Sequence, residues 1–155
     1  MAIKNPPKGY HTVTPGLNVD GAGRALEFYK KAFGAEETSR FAGPDGKIMH
    51  SEIRIGDSVI MVNDLMPNMG AGPTTSSLWI YTDDVDGLYK RAVAAGAKSL
   101  MEPTDAFWGD RFGQVADHWN NKWTVAKRIK EMSPEEMKKA GDEFMKQQAA
   151  QKSKA

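Results

Sequence analysis

Three histidines, at positions 11, 50 and 118, are the side chains in this sequence best suited to proton transfer or metal ligation near neutral pH. His50 and Glu52 stand two apart, so on a strand they share a face. With His11 they form a cluster able to chelate a cation. The same spacing suits a hydrogen-bonded polar pair on a half-buried strand. His118 lies in the run Asp117-His118-Trp119-Asn120-Asn121 and reads as a surface histidine. The absence of cysteine removes disulfides, zinc–thiolate centres and thiol nucleophiles together. No serine or threonine is spaced as one member of a nucleophile, base and orienting-group set. Gly21-Ala22-Gly23 lacks the rest of a phosphate-binding fingerprint. Catalytic residues are therefore left unassigned.

The aromatic residues point to binding. Tryptophans stand at 79, 108, 119 and 123, all in the second half of the chain. Trp79 alternates with Ser77 and Tyr81, so the three share one strand face. Trp108 and Phe112 flank Gly109-Asp110-Arg111, in which Asp110 and Arg111 are expected to pair and fix the loop. Aromatic walls with few polar groups describe a small-molecule site. Trp123 is expected in the core.

The elements that must position these residues are written twice. Leu17-Asn18-Val19-Asp20 opens into residues 21–33 and then Gly34-Ala35. Ile80-Tyr81-Thr82-Asp83 opens into residues 84–95 and then Gly96-Ala97, at an offset of about 62 to 63 residues. Each copy reads as a strand, an acidic helix start, an amphipathic helix and a glycine stop. Ala25, Leu26, Phe28, Tyr29, Ala32 and Phe33 form one helical stripe; Val85, Leu88, Tyr89, Ala92 and Val93 form the other. Asp20 is expected to cap the first helix and Asp83 or Asp84 the second. Gly34 and Gly96 are expected to stop them. Strand-like segments follow each helix: 37–41, 48–55 and 58–63 in the first copy, joined by Gly43-Pro44-Asp45-Gly46 and Gly56-Asp57 turns; 98–101, 112–116 and 122–127 in the second. This is βαβββ twice, an α+β fold with residues 9–66 and 77–130 as modules and 67–76 as linker. Residues 1–8 form an N-terminal arm. Ser133-Pro134-Glu135-Glu136 is a capping box that opens a C-terminal helix to about Gln148, with a thin apolar stripe of Met137, Ala140, Gly141, Phe144 and Met145. Residues 147–155 are expected to fray.

Net charge is +1, from 21 basic and 20 acidic residues. That balance supplies no basic face for nucleic acid. No apolar run reaches the length of a membrane span, and the start lacks a signal-peptide core. A cytoplasmic protein is expected.

Gly9-Tyr10-His11-Thr12-Val13-Thr14-Pro15, Ala25-Leu26-Glu27-Phe28-Tyr29-Lys30-Lys31-Ala32-Phe33-Gly34-Ala35, Ile53-Arg54-Ile55-Gly56-Asp57-Ser58 and Phe107-Trp108-Gly109-Asp110-Arg111-Phe112-Gly113 resemble one branch of the glyoxalase/bleomycin resistance/dioxygenase family, the vicinal oxygen chelate group. The resemblance covers about residues 9–130. It implies paired βαβββ units whose strands form a curled, open mixed sheet around a pocket. Metal enzymes of the family are similar in taking a His, Glu or Gln ligand from the first and last strand of each module. Carried over by register, those positions fall at about Thr14, Met61, Ser77 and Thr124, none a usual ligand. A two-residue slip keeps the inward face and gives Trp79. The family's Asp-Pro-Phe-Gly-His run is altered at 117–121, which reshapes that loop.

The resulting expectation is a metal-free, cofactor-free protein that binds an aromatic or amphipathic small molecule through His11, Thr14, His50, Glu52, Met61, Trp79, Tyr81, Trp108 and Phe112. The alternatives are a lyase or oxygenase using a divalent metal, and an interaction module docking through its C-terminal helix. Exposed edge strands near His11 and Ser77 lead to the expectation of a homodimer. The linker, at most about 33 to 36 Å when extended, permits pairing within a chain or exchange between chains.

Overall fold

Alternation of apolar residues with polar ones builds two four-stranded mixed sheets, each backed by one helix. The computed structural model of the chain describes residues 3–153; Met1 and Ala2 of the expected arm, and Lys154 and Ala155 of the expected frayed tail, lie outside them. The elements run β1 (Gly16–Val19), α1 (Ala22–Phe33), β2 (Glu36–Ala42), β3 (Ile48–Ile55), β4 (Ser58–Asp64), β5 (Ser77–Tyr81), α2 (Val85–Ala94), β6 (Lys98–Asp105), β7 (Asp110–Ala116), β8 (Lys122–Arg128) and α3 (Pro134–Lys152). Strand order is β1-β4-β3-β2 in the first sheet and β5-β8-β7-β6 in the second. In each, the first strand runs parallel to the last, and the remaining pairs are antiparallel.

In each sheet one face packs on its helix. Leu17, Val19, Ile53, Ile60 and Val62 are buried beneath α1, and Val115, Trp123 and Val125 beneath α2. The two halves share one core, with α1 lying against α2. Tyr29 and Phe33 of α1 pack on Trp123 of β8, at ring separations of 5.2 and 4.7 Å. Polar joints reinforce the contact. The Tyr29 hydroxyl and the Trp123 indole both donate to Asp117, at 2.8 and 3.0 Å. Arg91 of α2 donates to the Lys31 and Lys30 carbonyls at the end of α1, where helix carbonyls lack partners.

The caps divide into local and distant ones. Asp84 caps α2 by accepting from the Gly87 amide, and Ser133 and Glu136 close the expected capping box on α3. Asp20 does not cap α1. The N-cap is Gly21, in a left-handed conformation (φ 85°), and Asp64 at the end of β4 accepts from the Gly21 and Ala22 amides at 3.0 and 2.8 Å. Its other oxygen accepts from the Ile48 amide at 2.8 Å. Asp20 instead presents its carbonyl to Arg24 and to the Trp119 indole. Asp64→Ala frees three amides at once and is expected to lower stability by about 2 kcal/mol in urea unfolding; a loss under about 0.5 kcal/mol would show that water replaces the carboxylate.

Residues 67–76 are partly ordered. A short 3-10 turn spans Pro67–Met69, and Thr74 exchanges hydrogen bonds with the backbone of Asn18, covering the outer edge of β1 there. The outer edge of β5 pairs with no strand among the described residues. Helix α3 continues past Gln148 to Lys152, because Ala149, Ala150 and Gln151 are good helix formers. None of its described residues is buried; Phe144 rests on Phe107 at 5.1 Å.

Candidate functional site

Strand alternation sends Trp79 and Tyr81 away from α2, while Leu78 and Ile80 turn towards it. On neighbouring strands the same outward rows hold Thr124, Ala126 and Arg128 of β8, and Asp110, Phe112 and Gln114 of β7, as the register shows. Trp79 stacks on Phe112 (6.2 Å, interplanar 17°) and on Tyr81 (6.4 Å, 28°), and Trp108 meets Phe112 at 5.0 Å. Phe112 is only 7% exposed, but Trp79 and Tyr81 stand 45% and 61% open. The result is an aromatic shelf over a floor of Thr124 and Ala126, both fully buried.

Loop 106–109 fixes the end of this shelf. Gly109 adopts φ 90°, and a Cβ there would meet the Lys130 carbonyl oxygen, so the tight return to β7 requires glycine. Asp110 is buried and accepts from the Trp108 indole at 3.1 Å and from Arg128 at 2.5 Å. The expected Asp110–Arg111 pair does not form, because adjacent strand residues face opposite ways. Arg111 points to the α2 side and holds Asp86 at 2.7 and 2.8 Å and Asp105 at 2.9 Å.

Beside the shelf lies a cavity of about 690 Å³ that follows the free edge of β5. Phe33, Leu78, Ile80, Leu88 and Trp123 form its apolar wall; His11, Thr14, Asp57 and Ser58 supply polar groups. Trp79 and Tyr81 border both the cavity and the shelf. Four of the nine expected ligand residues, His11, Thr14, Trp79 and Tyr81, thus line one space. Phe112 and Trp108 join it through the shelf.

His50, Glu52 and Met61 lie elsewhere, on the outward face of the first sheet, where Met61 sits opposite Glu52 and Gly16. His50 Nε2 and Glu52 Oε1 are 3.0 Å apart, a hydrogen-bonded pair. The Tyr10 hydroxyl first, and His50 next, hold the Glu52 carboxyl below its ordinary range against the opposing effect of burial. His11 does not join this pair; its ring lies 3.9 Å from Asp57. Among the described residues no three of His, Asp or Glu converge to hold a metal ion.

The four positions that the resemblance marks for metal ligands, Thr14, Met61, Ser77 and Thr124, hold no strong donor. Thr14 precedes β1, its hydroxyl bonded to the His11 carbonyl. Gly16 faces Met61, and Trp79, not Ser77, faces Thr124. A thioether and three neutral hydroxyls, with those of Thr14 and Thr124 already hydrogen-bonded, do not fit a divalent cation. His118 is exposed, its ring against Phe28 and Trp119. Asp110 pairs with Arg128, a residue that the sequence did not single out. The signal for Arg128 is the two-residue spacing of 124, 126 and 128, which puts it on the outward face once β8 is extended by one residue.

The profile of the Glyoxalase/Bleomycin resistance protein/Dioxygenase superfamily matches residues 10–125. An uncharacterized protein of Mycobacterium bovis is 36% identical over 149 residues, covering 90% of this chain and 95% of its own. Among solved structures, a gene product from Arabidopsis thaliana is similar at 26% identity and a TM-score of 0.59, over 74% of this chain and 95% of its own. TnmS3, an antibiotic binding protein from Streptomyces, shares the fold at 22% identity and a TM-score of 0.62, over 83% of this chain and 98% of its own. No described helix is long and apolar enough to cross a membrane. With its repeated βαβββ order, its open sheets and this match over most of its length, the chain belongs to the Glyoxalase/Bleomycin resistance protein/Dioxygenase superfamily.

Proposed function

We propose that this protein binds an aromatic or amphipathic small molecule on the open aromatic face beside β5, without a resident metal, and does so as a homodimer. The observation that carries the reading is the pair Trp79 and Tyr81, two large aromatic residues held open on a sheet face and bordering a cavity of about 690 Å³. Such groups are costly to leave in water and are suited to stacking on a ligand ring. The antibiotic-binding description of TnmS3, a protein of the same fold, is in keeping with this. The unsuitable donors at Thr14, Met61, Ser77 and Thr124 support binding without a metal. The outer edge of β5, which pairs with no strand among the described residues, supports the dimer, since a second copy would cover it. Zero cysteine suits a reducing, cytoplasmic setting.

The test is a titration of the untagged protein with a panel of aromatic compounds, read by tryptophan fluorescence. Saturable quenching by some members is expected, with no stoichiometric metal by elemental analysis and a light-scattering mass near twice the 17.1 kDa of the chain. No quenching across the panel would overturn the binding reading. Stoichiometric metal would overturn its metal-free part, and a mass of one chain its dimer.

A further inference from the structure

The outward face of the second sheet carries the Asp110–Arg128 ion pair, and its two partners are unequally placed. Asp110 is buried, its side chain 2% exposed, whereas the Arg128 side chain is 43% exposed. Burying a carboxylate is unfavourable unless its oxygens are satisfied. Here one oxygen accepts from the Trp108 indole and the other from Arg128 Nε. Asp110 therefore acts as a hidden anchor that ties the guanidinium to the same loop that places Trp108. The Asp110 carboxylate, by its hydrogen bond first and its charge second, raises the Arg128 pKa, and the Tyr81 hydroxyl and the Glu131 charge add smaller effects in the same direction. Among the described residues the Asp110 carboxylate takes only Nε of Arg128, and neither Nη group forms an ion pair.

Register puts this fork at the end of the aromatic rows. Arg128 lies two residues beyond Ala126, which is flanked by Tyr81 and Phe112. The anion is underneath and the cation on top, so a ligand resting on Trp79, Tyr81 and Phe112 meets positive charge at that end. A planar guanidinium whose Nη groups form no ion pair with a described carboxylate matches a carboxylate or another oxyanion in shape as well as charge.

We propose that Arg128 makes this surface selective for aromatic anions, a ring on the shelf with an ionised oxygen acid at its end. The inference rests on the small-molecule reading above and narrows its ligand class. The experiment is a calorimetric titration of the full chain with 2-naphthoate and with 2-naphthamide, which share a ring but differ in charge. The wild-type protein is expected to bind the acid at least tenfold more tightly, as a charge-assisted bidentate contact implies. Arg128→Gln is expected to abolish the preference, read as the ratio of acid to amide affinity within that one variant. Arg128→Lys keeps the charge without the fork, stands in should the glutamine variant not fold, and is expected to retain part of the preference. Equal wild-type binding of acid and amide would overturn the inference and leave the small-molecule reading standing. Binding of neither would remove both.

Discussion

Asp117→Ala is expected to lower the folding free energy by about 3 to 5 kcal/mol, a large share of the roughly 5 to 15 kcal/mol that holds a typical domain together. The Asp117 carboxylate accepts four hydrogen bonds. The Tyr29 hydroxyl and Trp123 indole reach one oxygen, and the Trp119 and Asn121 amides each reach the other at 2.9 Å. Tyr29 and Trp123 are fully buried, so neither gains water when the acceptor is removed. Burial first, and the Asp117 charge second, push the Tyr29 phenol well above its usual pKa, so it remains a donor throughout the working range. The residue also joins the halves, since Tyr29 belongs to α1 and Trp123 to β8. Urea unfolding with an unchanged m-value checks the size of the effect. Asp117→Asn keeps one oxygen but puts an amide donor where a donor already points, so its loss is expected to lie between zero and that of alanine. A loss below about 1 kcal/mol for Asp117→Ala would show that water or a rearranged loop substitutes for the carboxylate.

Trp79→Ala is expected to separate binding from stability. The residue is 45% exposed and lies on the side of the sheet away from the core, so its removal is expected to change the melting temperature little. Its stacking partners Tyr81 and Phe112 would lose their neighbour, and the cavity beside β5 would lose a wall. Truncating a central aromatic anchor typically removes about 2 kcal/mol or more of binding, close to thirtyfold in affinity. A titration with any ligand found by the fluorescence panel measures it; with one of the fluorescent tryptophans gone, calorimetry is the cleaner readout. Affinity within threefold of wild type would move the site away from the shelf. In that case His50→Ala becomes the informative variant, because it probes the outward face of the first sheet.

Most of the fold is legible from residue order. The repeat at 17–35 and 80–97 announces two copies of one unit. The helical stripes lie where Tyr29, Phe33 and Tyr89 are buried, and the capping box at Ser133 holds in detail. These features are local: a 3.6-residue or two-residue period, or a cap reaching three residues ahead, needs no knowledge of distant chain. Trp123 is legible for the same reason, since it alternates with Val125 on β8 and both are fully buried.

The candidate site was legible by type but not by grouping. Sequence alone set the aromatic content of the second half, the face shared by Trp79 and Tyr81, and the lack of usual metal ligands at the family positions. Tertiary structure decided which of those residues meet. It placed His11 beside Asp57 and left His50 with Glu52 on another sheet. It turned Arg111 to Asp86 and gave Asp110 to Arg128, a partner on the neighbouring strand. It capped α1 with Asp64 in place of Asp20. In each case the deciding contact joins residues far apart in the chain, or turns on which face of a strand a residue occupies. Periodicity sets the faces only within one element. Which element lies opposite depends on how two helices and two sheets share a core, and that is a property of the packed chain.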